Sequence, residues 1–369
     1  MFFRDDVRFC HIHHILLHRL GKNLLFFIDD EKQQRPTADF SFFYTKFFSF
    51  LCTLQKYRHR LGAKMKKTYH LCLSGGNEVM FRQDRDYIHA NNCLCLAAHK
   101  TDSSLLAYSI MSNHAHIGVR TEDPHEFMKA YRYPYNRYFN QRYGRKGMLG
   151  EKHFFQCEID GLYHLLAAIS YILRNALHHG IAATPFGYRY SSIHALFRKE
   201  LGRFDCPDLM PKKSQYLYLP GNTSLPDGFK MDSSGLILPE SVIDVADVEH
   251  QFSTARTFLY YMNRISGEAW EKEQLQDALS IPPVTLEQIE VNVSHQDLKT
   301  MLGNEHGRAN YNAMTDIQVC DTICRLIGGR SVYSISQSEV DYVARHLYSS
   351  YHLSQDQINR CLAGRLLHV

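Results

Sequence analysis

Leu105-Leu106-Ala107-Tyr108-Ser109-Ile110-Met111-Ser112-Asn113-His114-Ala115-His116-Ile117-Gly118-Val119-Arg120 is the stretch that decides the fold. Two apolar runs, 105–111 and 115–120, flank Ser112-Asn113, residue types suited to a tight connection, so the stretch reads as an antiparallel hairpin. Alternate side chains of a strand share a face, so His114 and His116 project together while Ala115 turns to the other side. Two neutral imidazoles so placed can grip one divalent cation. Alone the motif is weak, because a chain with 22 histidines produces about one His-apolar-His by chance. His11-Ile12-His13 is a second copy, for which an inert cluster is the simpler reading.

Upstream of the hairpin, Tyr69-His70-Leu71-Cys72-Leu73 predicts a strand and 84–98 a helix capped by Asp84. Downstream, a helix is expected from Pro124 to Tyr143, kinked at Pro134 and stopping before Gly144. A fourth strand follows at 153–159. A helix over 162–179, closed by Gly180, carries the apolar stripe Leu162, Leu165, Leu166, Ile169, Ile172 and Leu173. The order β-α-β-β-α-β-α predicts an α+β class: a ferredoxin-like split βαβ sandwich, an antiparallel sheet with helices on one side, followed by a mostly helical C-terminal region. This unit spans 65–197. Residues 198–310 read as an irregular and helical middle region with a helical piece at 250–264. Residues 311–369 form a trihelical pattern (316–327, 338–350 and 354–362) with Ser354 as N-cap of the third helix. As a helix-turn-helix it would offer Gln355, Gln357, Asn359 and Arg360 to DNA. As a small bundle it would serve packing or dimerisation.

Half of the 22 phenylalanines fall between Phe2 and Phe50 without a clean period. Met65 then opens Met65-Lys66-Lys67-Thr68-Tyr69, a sequence suited to a translation start, so 1–64 is expected to be an untranslated upstream reading or a poorly ordered extension. No segment offers eighteen apolar residues free of charge, and no secretory signal pattern opens the chain, which argues for a cytoplasmic protein without a membrane span. The ten cysteines, with no CxxC pair among them, suit a reducing compartment.

The second constellation is Tyr171-Ile172-Leu173-Arg174-Asn175. Tyr171 and Asn175 are four residues apart, about 6 Å along a helix axis, and share one face. A lone tyrosine among 23 is more often packing than chemistry, but this pair supplies a nucleophile and a metal ligand together. A phenol is a weak nucleophile and needs an activated electrophile, for which a phosphodiester on Mg²⁺ or Mn²⁺ held by His114, His116 and Asn175 is suited. Between the motifs, Lys129, Arg132, Arg137, Arg142, Arg145, Lys146 and Lys152 interleave with Tyr131, Tyr133, Tyr135, Tyr138, Phe139 and Tyr143. Cations neutralise phosphates and aromatic faces stack on unpaired bases, a pattern for single-stranded or hairpin DNA in which Tyr138 and Arg174 also take part. The bland alternative is a solvated basic helix whose tyrosines pack on the sheet.

With Asn113-His114-Ala115-His116, Tyr171 and Asn175 in these positions, and Tyr138-Phe139-Asn140, Gly144 and Tyr190-Ser191-Ser192 around them, the chain resembles the single-tyrosine HUH transposases, in particular the REP-associated tyrosine transposases. The resemblance covers about 130 residues. It implies Tyr171 as nucleophile, the two histidines and Asn175 as ligands, a covalent 5′-phosphotyrosine intermediate, hairpin DNA of palindromic repeats as partner, action as a homodimer, and a bacterial protein working at the nucleoid. Two departures stand out: Ala176-Leu177-His178-His179-Gly180 replaces the family's Pro-Val-Arg-Ala-Gly, and Lys152-His153-Phe154-Phe155 only loosely echoes its aromatic-Gln-Arg-Phe segment. The competing classes are a DNA-binding regulator that keeps the fold without cleaving, a replication initiator or relaxase, and a structural metal protein. The last would want four closely spaced ligands.

Overall fold

The computed structural model describes residues 65–76, 78–179, 181–204, 206–263 and 314–366. His11-Ile12-His13, the 1–64 extension and Gly180 lie outside them. Four strands form the sheet: β1 (Lys67–Ser74), β2 (Ser104–Ile110), β3 (His114–Thr121) and β4 (Phe155–Glu158). Their order is β2-β3-β1-β4, with antiparallel neighbours throughout. The hairpin turns at Ser112-Asn113 as its sequence requires, closed by Met111 N donating to His114 O at 2.7 Å. Three helices connect and cover the strands: α1 (Asp84–Lys100), α2 (Pro124–Tyr143) and α3 (Leu162–His178).

Register fixes what each face carries. Cys72 opposes His116 and Ser74 opposes His114, so Leu71, Leu73, Ala115, Ile117 and Val119 share the opposite face. These residues are fully buried with Tyr131, Tyr135 and Phe139 of α2 and Leu94 of α1. The histidine face is covered by α3, whose Ile172 lies where a side chain on Gly118 would meet it at 3.3 Å. Helices therefore lie on both faces of the sheet, and the one-sided arrangement expected from sequence holds only for α1 and α2. α4 (Val245–Phe252) and α5 (Ala255–Asn263) also pack on α3, whose Tyr171 and Ile172 face the sheet.

Local chemistry sets the ends. Gln83 caps α1, and the Asp86 carboxylate reaches back to Gln83 N at 3.0 Å. Asp84 is the first helical residue rather than the cap, and its carboxylate accepts from the Tyr190 hydroxyl. Asp123 caps α2, which runs as one helix through Pro134 to a left-handed Gly144. The helical piece expected at 250–264 divides into α4 and α5 at Ser253, whose φ of 64° breaks the helix. Just before α4, Ile243 bridges to Leu105, and Asp244 N donates to Leu105 O, so the middle region extends the β2 edge.

The C-terminal helices are α6 (Asp316–Leu326), α7 (Gln337–Tyr351) and α8 (Gln355–Cys361), with Ser354 capping the last. Val319, Ile323, Val340, Val343, Leu347 and Ile358 form their core, and Val79 from the loop after β1 inserts into it. Arg82 Nη2 donates to Cys361 O at 2.5 Å. The described residues from 65 onward cluster as one compact unit. No helix among the described residues is long and apolar enough to cross a membrane.

Candidate active site

The hairpin brings His114 and His116 onto the face covered by α3, and α3 brings Tyr171 and Asn175 against them. His114 Nε2 lies 3.0 Å from Asn175 Oδ1, and the His116 and Tyr171 rings meet edge to face at 5.2 Å. All four residues predicted from sequence therefore converge. Each is buried, with Tyr171 6% exposed and the other three 0%. Sequence periodicity placed Tyr171 and Asn175 opposite the apolar stripe; that side is the one turned to the sheet.

Proton placement follows from the partners. Asn113 Nδ2 donates to Gly76 O, which turns Asn113 Oδ1 toward His114 Nδ1 at 2.8 Å. Nδ1 of His114 is then the protonated nitrogen, and its Nε2 lone pair faces the Asn175 oxygen. With the Asn175 amide in this orientation the contact sets two acceptors 3.0 Å apart. His116 Nε2 and Asn175 Nδ2 are buried with no hydrogen-bond partner, an arrangement that costs about 1–3 kcal/mol per group unless something binds. Burial, the largest cause, lowers His114 to about 4 and takes His116 well below the ordinary imidazole value. Both are neutral near pH 7, as ligands must be. Among the described residues no three His, Cys, Asp or Glu groups stand together as a metal site.

Three further histidines belong to this neighbourhood and were not singled out from sequence. His70 on β1 lies with Nε2 at 3.1 Å from His116 Nδ1 and its ring 5.9 Å from Tyr171. Its signal was a polar residue on the Cys72 side of an otherwise apolar strand. His178 and His179 follow Asn175, the His179 ring 5.2 Å from His114 and the His178 ring 6.0 Å from Tyr171. They occupy the departure Leu177-His178-His179 noted in the sequence.

The cations on and after α2 divide into two groups. Arg132 donates to the carbonyls of Leu149, Glu151 and Lys152 in the loop after α2. Arg145 pairs with Glu78 at 3.1 Å, Arg142 lies 3.4 Å from Asp86, and the Tyr138 hydroxyl donates to Asp86 at 2.9 Å. These four, expected at DNA, make hydrogen bonds within the fold. Lys129, Arg137, Lys146 and Lys152 are exposed, and Arg174 is half-buried on α3. Of the four α8 residues expected at DNA, Gln357 and Arg360 are buried instead. The Arg360 guanidinium holds Asp316 at 2.9 and 3.0 Å, and Gln357 Nε2 donates to Asp316 and to Met314 O. Gln355 is exposed, while Asn359 is half-buried and accepts from Leu366 N. Of these four, Gln357 and Arg360 are the residues that α8 turns to Asp316 of α6.

The antiparallel split-βαβ sheet thus sets a His-x-His strand beneath a tyrosine carried by α3. Over residues 63–165 the chain matches the family model described as "Transposase IS200 like". The matched residues include His114 and His116 and end before Tyr171 and Asn175. A solved structure, a REP-associated tyrosine transposase bound to a REP hairpin, is similar over 39% of this chain and 84% of its own, at 13% identity and a TM-score of 0.32. Among curated proteins none matches the chain.

Proposed function

We propose that the protein cleaves and rejoins single-stranded, hairpin-flanked DNA through Tyr171. The observation that carries this reading is the convergence of Tyr171, His114, His116 and Asn175 in one buried cluster. The Tyr171 oxygen bonds to phosphorus, the bond from phosphorus to the 3′ oxygen breaks, and the proton lost by the phenol is balanced by one gained at the released 3′ hydroxyl. The 5′ phosphate stays on the tyrosine, so the reverse step at a new 3′ hydroxyl needs no external energy source. His114, His116 and Asn175 would hold Mg²⁺ or Mn²⁺, which when bound supplies Lewis-acid stabilisation of charge on the phosphate. Asn113 orients His114, and α3 sets the position of Tyr171 relative to both histidines. The exposed Lys129, Arg137, Lys146 and Lys152 are suited to the DNA backbone. Action as a homodimer and recognition of palindromic repeats belong to the same proposal and are carried by the family resemblance.

The test is a denaturing gel of protein incubated with labelled hairpin single strands from the flanks of its own gene, with Mg²⁺ or Mn²⁺. A metal-dependent covalent adduct, lost in Tyr171→Phe and His114→Ala, is the expected result. Binding without an adduct across several flanks and metals would favour a non-catalytic DNA-binding regulator built on the same fold.

A further inference from the structure

We propose that His70 is a positioning residue for this site: it accepts the Nδ1 proton of His116 and so locks the tautomer in which His116 Nε2 is a lone pair. The inference rests on the reading of His114, His116 and Asn175 as a metal site. The two motif histidines are built alike. Each has an acceptor at Nδ1, Asn113 Oδ1 at 2.8 Å for His114 and His70 Nε2 at 3.1 Å for His116. Neither has a protein proton donor at Nε2: that of His114 faces an amide oxygen, and that of His116 has no partner and is buried. Only one proton can occupy the contact between His70 and His116. If it sat on His70, His116 would carry its own proton at Nε2 and could hold no cation there; in the proposed arrangement the proton of His70 stays on its Nδ1, which like His116 Nε2 is buried without a partner in the fold, so the lone pair needed at a ligand is what selects the pairing.

The strand register makes the contact available. His70 stands opposite Gly118, not His116, and that position has no side chain. The His70 ring can therefore lean diagonally along its own face toward His116, with Phe155 at 5.8 Å closing its edge. His70 itself is fully buried. Residues that anchor the second nitrogen of a ligating histidine typically set metal affinity by 10–100-fold.

Calorimetric titration of the metal-free full chain with Mn²⁺ tests this, using wild type, His114→Ala, His70→Phe and His70→Gln. The Gln Oε1 can stand where His70 Nε2 stands and accept the same proton. The expected outcome is Mn²⁺ affinity lowered about 10–100-fold in His70→Phe and restored to within about threefold of wild type in His70→Gln, at unchanged thermal midpoints. Wild-type affinity in a folded His70→Phe would overturn the inference. Should His70→Phe fail to fold, the nitrogen-15 imidazole spectrum of wild type decides, with His116 assigned by its loss in His116→Gln: protonation at Nδ1 is expected, and protonation at Nε2 overturns it. A wild type that binds no Mn²⁺ would sink the metal reading, while the same spectrum would still decide the pairing.

Discussion

At the scale of single residues, the site is a set of imidazoles taken out of water. His70 and His114 are lowered to about 3 and about 4 by burial, and His116 and His179 lie well below the usual value for the same reason. In the unfolded chain each titrates near 6.5. Between pH 6.5 and about 4 the unfolded chain therefore binds more protons than the folded one, so stability rises with pH across that window. The contribution is complete above pH 6.5 and lost as pH falls toward 4. Urea midpoints of the metal-free protein should be flat from pH 7 to 8 and decline steadily from 6.5 to 4. A midpoint independent of pH across the lower window would mean that these rings are protonated or solvated in the folded state.

At the scale of elements, α2 and the loop after it separate cations by role. Arg132 is committed to three backbone carbonyls, whereas Lys152 and Lys146 are exposed. Lys152→Ala and Lys146→Ala should each weaken DNA binding and reduce the slope of log affinity against log salt by about one, leaving the unfolding free energy within about 0.5 kcal/mol of wild type. Arg132→Ala should lower stability by about 1 kcal/mol, since it removes hydrogen bonds to loop carbonyls that are largely open to water. The reverse assignment in filter-binding and melting experiments would contradict this division. The strands, α2 and the hairpin were legible because they are local: alternation, Pro124 and Gly144 as end signals, and Ser112-Asn113 as a turn each act within a few residues. The convergence of His114 with Asn175 was legible through the i, i+4 spacing on α3 and the shared face on β3. The role of His70 was not, because its partner comes from a strand 46 positions away. Nor were the internal bonds of Arg132 and Arg145, whose partners are backbone carbonyls and a distant carboxylate.

At the scale of the whole molecule, the C-terminal helices and the hairpin share one carboxylate. Ser112 Oγ donates to Asp316 Oδ2 at 2.7 Å, and the same carboxylate is held by Arg360 and Gln357. Burial alone would raise Asp316, but the Arg360 charge and these hydrogen bonds outweigh it, and its carboxyl sits below the usual range. Ser112 immediately precedes Asn113-His114, so the helical region is fastened two residues from a predicted ligand. Arg360→Ala should cost about 3–5 kcal/mol, as expected when one partner of a buried ion pair is removed. The paired replacement Asp316→Leu with Arg360→Met should recover much of that loss. An Arg360→Ala protein as stable as wild type but weaker on DNA would instead restore α8 as a reading helix. Sequence found these three helices and the Ser354 cap, yet it could not show which face is buried, because the polar Gln357 and Arg360 are paired inside.

The central claim is that Tyr171 carries the DNA strand. The most direct measurement is mass spectrometry of the covalent complex after nuclease trimming and proteolysis, locating the nucleotide remnant on the polypeptide. The account predicts a 5′-phosphonucleotide on Tyr171 and on no other residue. The same remnant on the exposed Tyr163 one helical face away, or on any residue outside α3, would contradict it.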